Sequence, residues 1–179
     1  MVGRLKPPLV SPCVSQKNME KNLSGLSAEL LVASMMVRDG WNIYSPHRDI
    51  GFDLIATKNI RGILLFRPIQ VRGCYLESKT KETNAYGKSK MELKEIHEEM
   101  ALVIPYYEPD QTSPYPVYVA FLPHAEIRKH KNRDLYYAGP ARARKGAIHM
   151  RKEYVRYFGM SGVRLMSDPN WKNLKVRQS

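Results

Sequence analysis

Between Ser24 and Gly40 the chain carries a segment whose apolar side chains cover most of a helix's circumference. Leu26, Leu30, Ala33 and Val37 make one stripe, and Leu31, Val32, Met35 and Met36 fill much of the remainder. A helix apolar on nearly every side must be buried, and the partner able to cover it is a sheet. Ser24 or Ser27 caps this helix, which runs to about Asp39, and Gly40 stops it. Glu29 lies inside the segment, so a carboxylate is carried into apolar surroundings and needs a partner there.

The sheet is written downstream. WNIYS (41–45) and IGFDLIATK (50–58) flank the turn Pro46-His47-Arg48, and the second run alternates, with Gly51, Asp53 and Thr57 on its polar parity. Such alternation predicts a hairpin. After a turn at Asn59 to Gly62, ILLFRPIQVRGCY (63–75) reads as a third strand. It presents Leu64, Phe66, Gln70 and Arg72 one way and Ile63, Leu65, Ile69 and Val71 the other. Pro68 removes a ladder donor and predicts a bulge or an edge, with a kink before Gln70. ALVIPYY (101–107) and YPVYVAFLP (115–123) are the last clear strands. MELKEIHEEM (91–100) reads as a short helix, or as strand in its first part, and HAEIRKHKN after Pro123 as another helix. AIHMRKEYVRYF is open between strand and basic helix, and SDPNWKNL predicts a terminal turn and short helix. The order αβββαβ implies an α/β (α+β) fold with a mixed central sheet flanked by helices. Residues 1–22, with Pro7, Pro8 and Pro12, read as a flexible N-terminal arm, and 23–179 as a single domain with a basic C-terminal region, 128–179.

Charge narrows the partner. The 179 residues hold 29 Lys and Arg against 17 Asp and Glu, a net +12. Most of the excess falls in 128–156, where Tyr136, Tyr137, Tyr154 and Tyr157 interleave with basic residues. Cations for phosphates and rings for bases point to nucleic acid. Candidate contacts are Lys79, Lys81, Lys88 and Lys90 in the polar loop 77–90, then Arg128, Lys129, Lys131, Arg142, Arg144, Lys145, Arg151 and Lys152. A solubilising face or a patch for anionic membranes is the alternative, but no amphipathic lipid-binding helix accompanies the charge. No apolar run approaches the ~20 residues of a membrane span. Cys13 and Cys74 cannot make a disulfide framework or a structural zinc site, which fits a reducing, cytoplasmic setting, and the five histidines are scattered. Signatures of P-loop, serine-elbow, Cys–His, helix-turn-helix and zinc-finger proteins are missing from the sequence.

Polar groups on otherwise apolar elements carry the chemistry: Glu29 on the helix, Asp53 in the second strand, Gln70 and Arg72 in the third. Two carboxylates and an amide oxygen brought together make a hard, oxygen-lined site for Mg²⁺ or Mn²⁺. An ion there would offset the repulsion between the acids, polarise a phosphodiester and lower the pKa of a bound water.

The segments AELLVA with Glu29, GWNIYSP, GFDLIA with Asp53 and IQVRG with Gln70 and Arg72 resemble the PD-(D/E)XK nuclease superfamily, and within it the resolvase-like and Mrr-like branch. The resemblance covers about 23–75 by motif and 101–123 by strand pattern. It implies a restriction-endonuclease-like core and a metal-dependent endonuclease acting on DNA. It implies Asp53, Gln70 and the Val71 carbonyl as metal ligands, Glu29 in support, and Arg72 in the place of the catalytic lysine. Dimers are common in that branch, so a homodimer is an open alternative. Two positions depart from the usual pattern. Gln70 keeps an oxygen but gives up a negative charge, and Arg72 stays charged at any working pH and cannot serve as a base. Three outcomes follow: activity with Arg72 in an electrostatic role, a substitute lysine among Lys88, Lys90 and Lys94, or binding without cutting. An RNA-binding factor built on the Tyr/Arg segment is a further alternative.

Overall fold

The apolar helix runs from Gln16 to Arg38 (α1) in the computed structural model, which describes residues 16–48, 51–75, 97–108, 115–129, 136–144 and 147–176. The arm assigned to 1–22 is therefore helical from Gln16 onward, and 1–15 lie outside the described residues. Ala28, Val32 and Met36 are the buried face, whereas Leu26, Leu30 and Val37 are exposed. The stripe singled out by sequence is thus the solvent side, because a helix with two apolar stripes does not reveal by period which one the sheet takes. Gly40 ends α1 as expected, with φ of 82° and its N–H donating to the Val37 carbonyl at 2.9 Å.

Strand β1 (Asn42–Tyr44) pairs antiparallel with β2 (Leu54–Ile60), and β2 with β3 (Ile63–Val71), in register from Ile60↔Ile63 to Leu54↔Ile69. Arg61 and Gly62 make the tight turn between them, both with positive φ. Pro68 causes no bulge: it pairs with Ile55 in an unbroken register. The ladder to the other side begins only at the next residue, Ile69↔Ala101, so the missing N–H falls where no partner strand has yet arrived. The third strand stops at Val71, and Cys74–Tyr75 form a separate short strand, β4. β5 (Ala101–Tyr107) runs parallel to β3 and β4, and β6 (Tyr118–Pro123) antiparallel to β5. The fold is α+β with a mixed central sheet.

Alternation along the strands divides the core in two. Leu54, Ala56, Ile69, Val71, Val103 and Phe121 pack on α1 and on the short helix α2 (Gly159–Leu165). Leu102, Ile104, Tyr106, Ala120 and Leu122 face the other way and are covered by the C-terminal region. There the structure departs from the expected flanking helices. His97–Met100 include a turn, not the end of a helix, while 91–96 lie outside the described residues. After Pro123, His124–Glu126 form one 3-10 turn and Arg128–Lys129 a strand, β7, paired with β8 (Tyr136–Tyr137). AIHMRKEYVRYF is strand and then turn: Ala147–Met150 (β10) pairs with Ala141–Arg144 (β9), and a 3-10 segment spans Lys152–Tyr157. Both described helices consequently lie on one side of the sheet.

Two contacts lock the C-terminal region down. A Cβ on Gly162 would lie 2.2 Å from the Tyr157 carbonyl oxygen, so only glycine lets α2 sit this close. Arg67, 2% exposed, donates to the Met166 carbonyl at 3.2 Å and the Asp168 carbonyl at 3.0 Å, and pairs with Glu99 at 2.5 Å. The sequence reading passed over Arg67, although it shares the parity of Ile69 and Val71. No described helix is long and apolar enough to cross a membrane.

Candidate active site

Asp53 stands just before β2, with its N–H donating to the Ile69 carbonyl at 2.9 Å, so the hairpin register places it beside the end of β3. There, three groups converge on one of its oxygens. Oδ2 accepts from the Val71 N–H at 2.6 Å and from the Gln70 amide, and Arg72 Nη1 lies 3.6 Å away. Gln70 is 2% exposed, whereas the Arg72 side chain is 41% exposed, so the site has a buried floor and an open rim. Arg72 Nη1 also donates to the Val71 carbonyl at 3.0 Å. The Arg72 N–H bonds the Val103 carbonyl at 2.8 Å, which fixes the backbone where the chain leaves the sheet.

Glu29 reaches the same neighbourhood from α1. Burial first, then repulsion from Asp53, raises its carboxyl above the ordinary value, and Arg72 pulls it partly back. The structure thus brings Glu29, Asp53, Gln70, Val71 and Arg72 together from one helix and two neighbouring strands. Lys88, Lys90 and Lys94 lie outside the described residues.

The donors are two carboxylates, a side-chain amide and a backbone carbonyl, all hard oxygens, and this set fits Mg²⁺ or Mn²⁺. Among the described residues no group of three or more His, Cys, Asp or Glu could hold a metal ion, so an ion here would depend on the amide and the carbonyl as well as the acids. Beyond Arg72, Tyr75 stacks on Tyr107 with centroids 4.5 Å apart and planes 7° from parallel. Sequence reading missed this pair because β4 and the end of β5 are joined only by the sheet.

The basic residues divide. Arg128, Arg151 and Lys152 line a cleft of about 1260 Å³, together with Arg156, Lys175 and the buried Glu126. Lys129 lies over the Tyr136 ring at 5.8 Å, and Arg142 is exposed on β9 and is not among the residues lining the cleft. Arg144 ends β9; Lys79, Lys81, Lys131 and Lys145, like Lys88 and Lys90, lie outside the described residues. Of the four interleaved tyrosines expected to stack on bases, Tyr154 and Tyr157 are 5% and 0% exposed and belong to the core, whereas Tyr136 and Tyr137 are half-buried. Apolar contacts with the sheet claimed the rings of Tyr154 and Tyr157, leaving the cations outside. Arg156 and Lys175 were missed because the cleft forms only when the C-terminal segment returns to His124–Glu126. Comparison with protein-family models, curated proteins and solved structures finds no match.

Proposed function

We propose that the protein is a divalent-metal-dependent endonuclease that hydrolyses DNA phosphodiester bonds on a restriction-endonuclease-like core. The observation that carries this reading is the meeting of Glu29, Asp53, Gln70 and Arg72 at one partly open rim. Asp53, Gln70 and the Val71 carbonyl would hold Mg²⁺ or Mn²⁺, with Glu29 in support; the bound ion would polarise the scissile phosphate and acidify a water. Gln70 offers its oxygen by a half-turn of the terminal amide torsion, which exchanges nitrogen for oxygen. Arg72 cannot take a proton from water, so its part is to hold phosphate. Glu29, whose affinity for protons is raised, is the acid here best suited to receive one.

The basic cleft supplies grip. Gln70 is level with Leu102, and Leu102 with Leu122, four residues before Glu126. Two strand spacings and that turn put the cleft on the order of 15 Å from the rim, a distance one duplex covers in a few base pairs. The test is Asp53→Ala: Mg²⁺- or Mn²⁺-dependent cleavage should disappear while duplex binding stays. Cleavage that survives the change removes the site.

One observation favours a second reading, a nucleic-acid-binding protein that does not cut. The guanidinium of Arg72, where the resembling family has lysine, is drawn in toward Asp53. If neither the wild type nor Arg72→Lys cleaves any DNA tested, while both bind it in a salt-sensitive way, this second reading takes the place of the first.

A further inference from the structure

A single nitrogen, Arg72 Nη1, touches two of the oxygens assigned above to the metal. It donates to the Val71 carbonyl at 3.0 Å and lies 3.6 Å from Asp53 Oδ2. The other donors to Oδ2 are the Val71 N–H, fixed in the sheet, and the buried Gln70 amide, which can turn over in place; neither can leave the site. Arg72 can. Its backbone is fixed by the 2.8 Å bond to Val103, but its side chain is 41% exposed and held at its tip by one hydrogen bond to a carbonyl, a long ion pair with Asp53 and the attraction of Glu29. A phosphodiester offers a guanidinium paired, charge-assisted bonds that are stronger than this tether.

We propose that Arg72 is an internal cation that fills the metal position in the free protein and is drawn off by the substrate's phosphodiester, so that the metal loads tightly only once DNA is bound. The proposal rests on the nuclease reading and adds an order of events to it. Guanidinium and dication compete for Asp53 Oδ2 and the Val71 carbonyl, and like charges this close exclude one another. Phosphate and dication do not compete, since the phosphate removes the competitor. By linkage, DNA must then tighten metal binding and metal must tighten DNA binding by the same factor.

The test titrates the full-length chain with Mn²⁺, reading free ion by its electron paramagnetic resonance signal, in wild type, Arg72→Ala and Asp53→Asn. Without DNA, Arg72→Ala should bind Mn²⁺ about tenfold more tightly than wild type. A short duplex is then added, and Asp53→Asn with the same duplex serves as the blank for ions held by the DNA. The duplex should tighten the wild type about tenfold and Arg72→Ala by less than about twofold. Arg72→Gln, too short to reach both oxygens, repeats the comparison should the alanine variant fail to fold. Equal tightening by DNA in wild type and variant, or a variant that binds no better than wild type, overturns the gate while leaving the metal centre standing. Asp53→Asn binding as much Mn²⁺ as wild type removes the metal centre itself, and the gate with it.

Discussion

Asp53 and Glu126 are both carboxylates ringed by donors and cations, yet they are held in opposite ways. Each oxygen of Glu126 has one partner: Oε2 takes the Tyr154 hydroxyl at 3.0 Å and Oε1 the Val176 N–H at 2.5 Å. The residue is 5% exposed, and its partners come from two other segments, so it buttons the C-terminal stretch to the turn after β6. Asp53 crowds its donors onto one oxygen, has a second acid close enough to shift, and opens to solvent through Arg72. An acid with its valences evenly spent is architecture. An acid with a like charge beside it and a displaceable cation in front keeps electrostatic free energy available for a ligand.

The largest effect that separates the two is on stability. Glu126→Ala leaves the Tyr154 hydroxyl and the Val176 N–H without their acceptor, at about 3 kcal/mol together. For a domain of this size that lowers Tm by about 8 °C, measured by thermal unfolding. Cleavage per folded molecule should be unchanged. A Glu126 variant of normal Tm that no longer cuts would invert the comparison and move the chemistry to the cleft.

Next in size is an effect on binding. Arg128 lines the cleft and Arg142 does not, though both are exposed cations of the same region. Arg128→Ala should weaken duplex binding several-fold at ~0.1 M salt and lower the log–log salt slope by about 1. Arg142→Ala should leave both within error. Equal losses would mean that overall charge, and not this cleft, attracts the DNA.

How much of this was legible in sequence differs between the two regions for a physical reason. The Asp53 site is built from a helix, a hairpin and the strand end at Gln70, all within residues 29–72, and hairpin register brings Asp53 to Val71 with no distant contact needed. Polar side chains on a helix and strands otherwise marked as buried were enough to single out Glu29, Asp53, Gln70 and Arg72, and the motif resemblance joined them as one group. The cleft depends on residues 126, 128, 151–156 and 175 meeting after a chain of short strands and 3-10 turns, which carry no long period. The helix expected after Pro123 shows the difficulty: HAEIRKHKN has helix-forming residues, but the chain makes one 3-10 turn and goes extended at Ile127, whose side chain packs against the second half of the core. On α1 the period was right and the face wrong, since Leu30 and Val32 are equally apolar and only the sheet decides between them.

The smallest effect is the most diagnostic of an acid kept under repulsion. Glu29 has its pKa raised in the folded protein, mainly by burial and then by Asp53. A raised carboxyl favours the fold below its unfolded value, near 4.5, and that contribution is lost as pH rises through the folded pKa. At neutral pH the ionised Glu29 is therefore a mild liability. Glu29→Gln removes it, so the variant should be slightly more stable than wild type at pH 7, by no more than about 0.5 kcal/mol for a half-buried position, and this advantage should vanish below 4.5. Urea unfolding at the two pH values reads the difference. Mn²⁺ should reverse the sign: a dication among these oxygens favours ionised Glu29, so added metal should stabilise wild type more than the glutamine variant. A variant that is less stable than wild type at neutral pH without metal would show Glu29 to be satisfied like Glu126, and the contrast between the two acids would be gone.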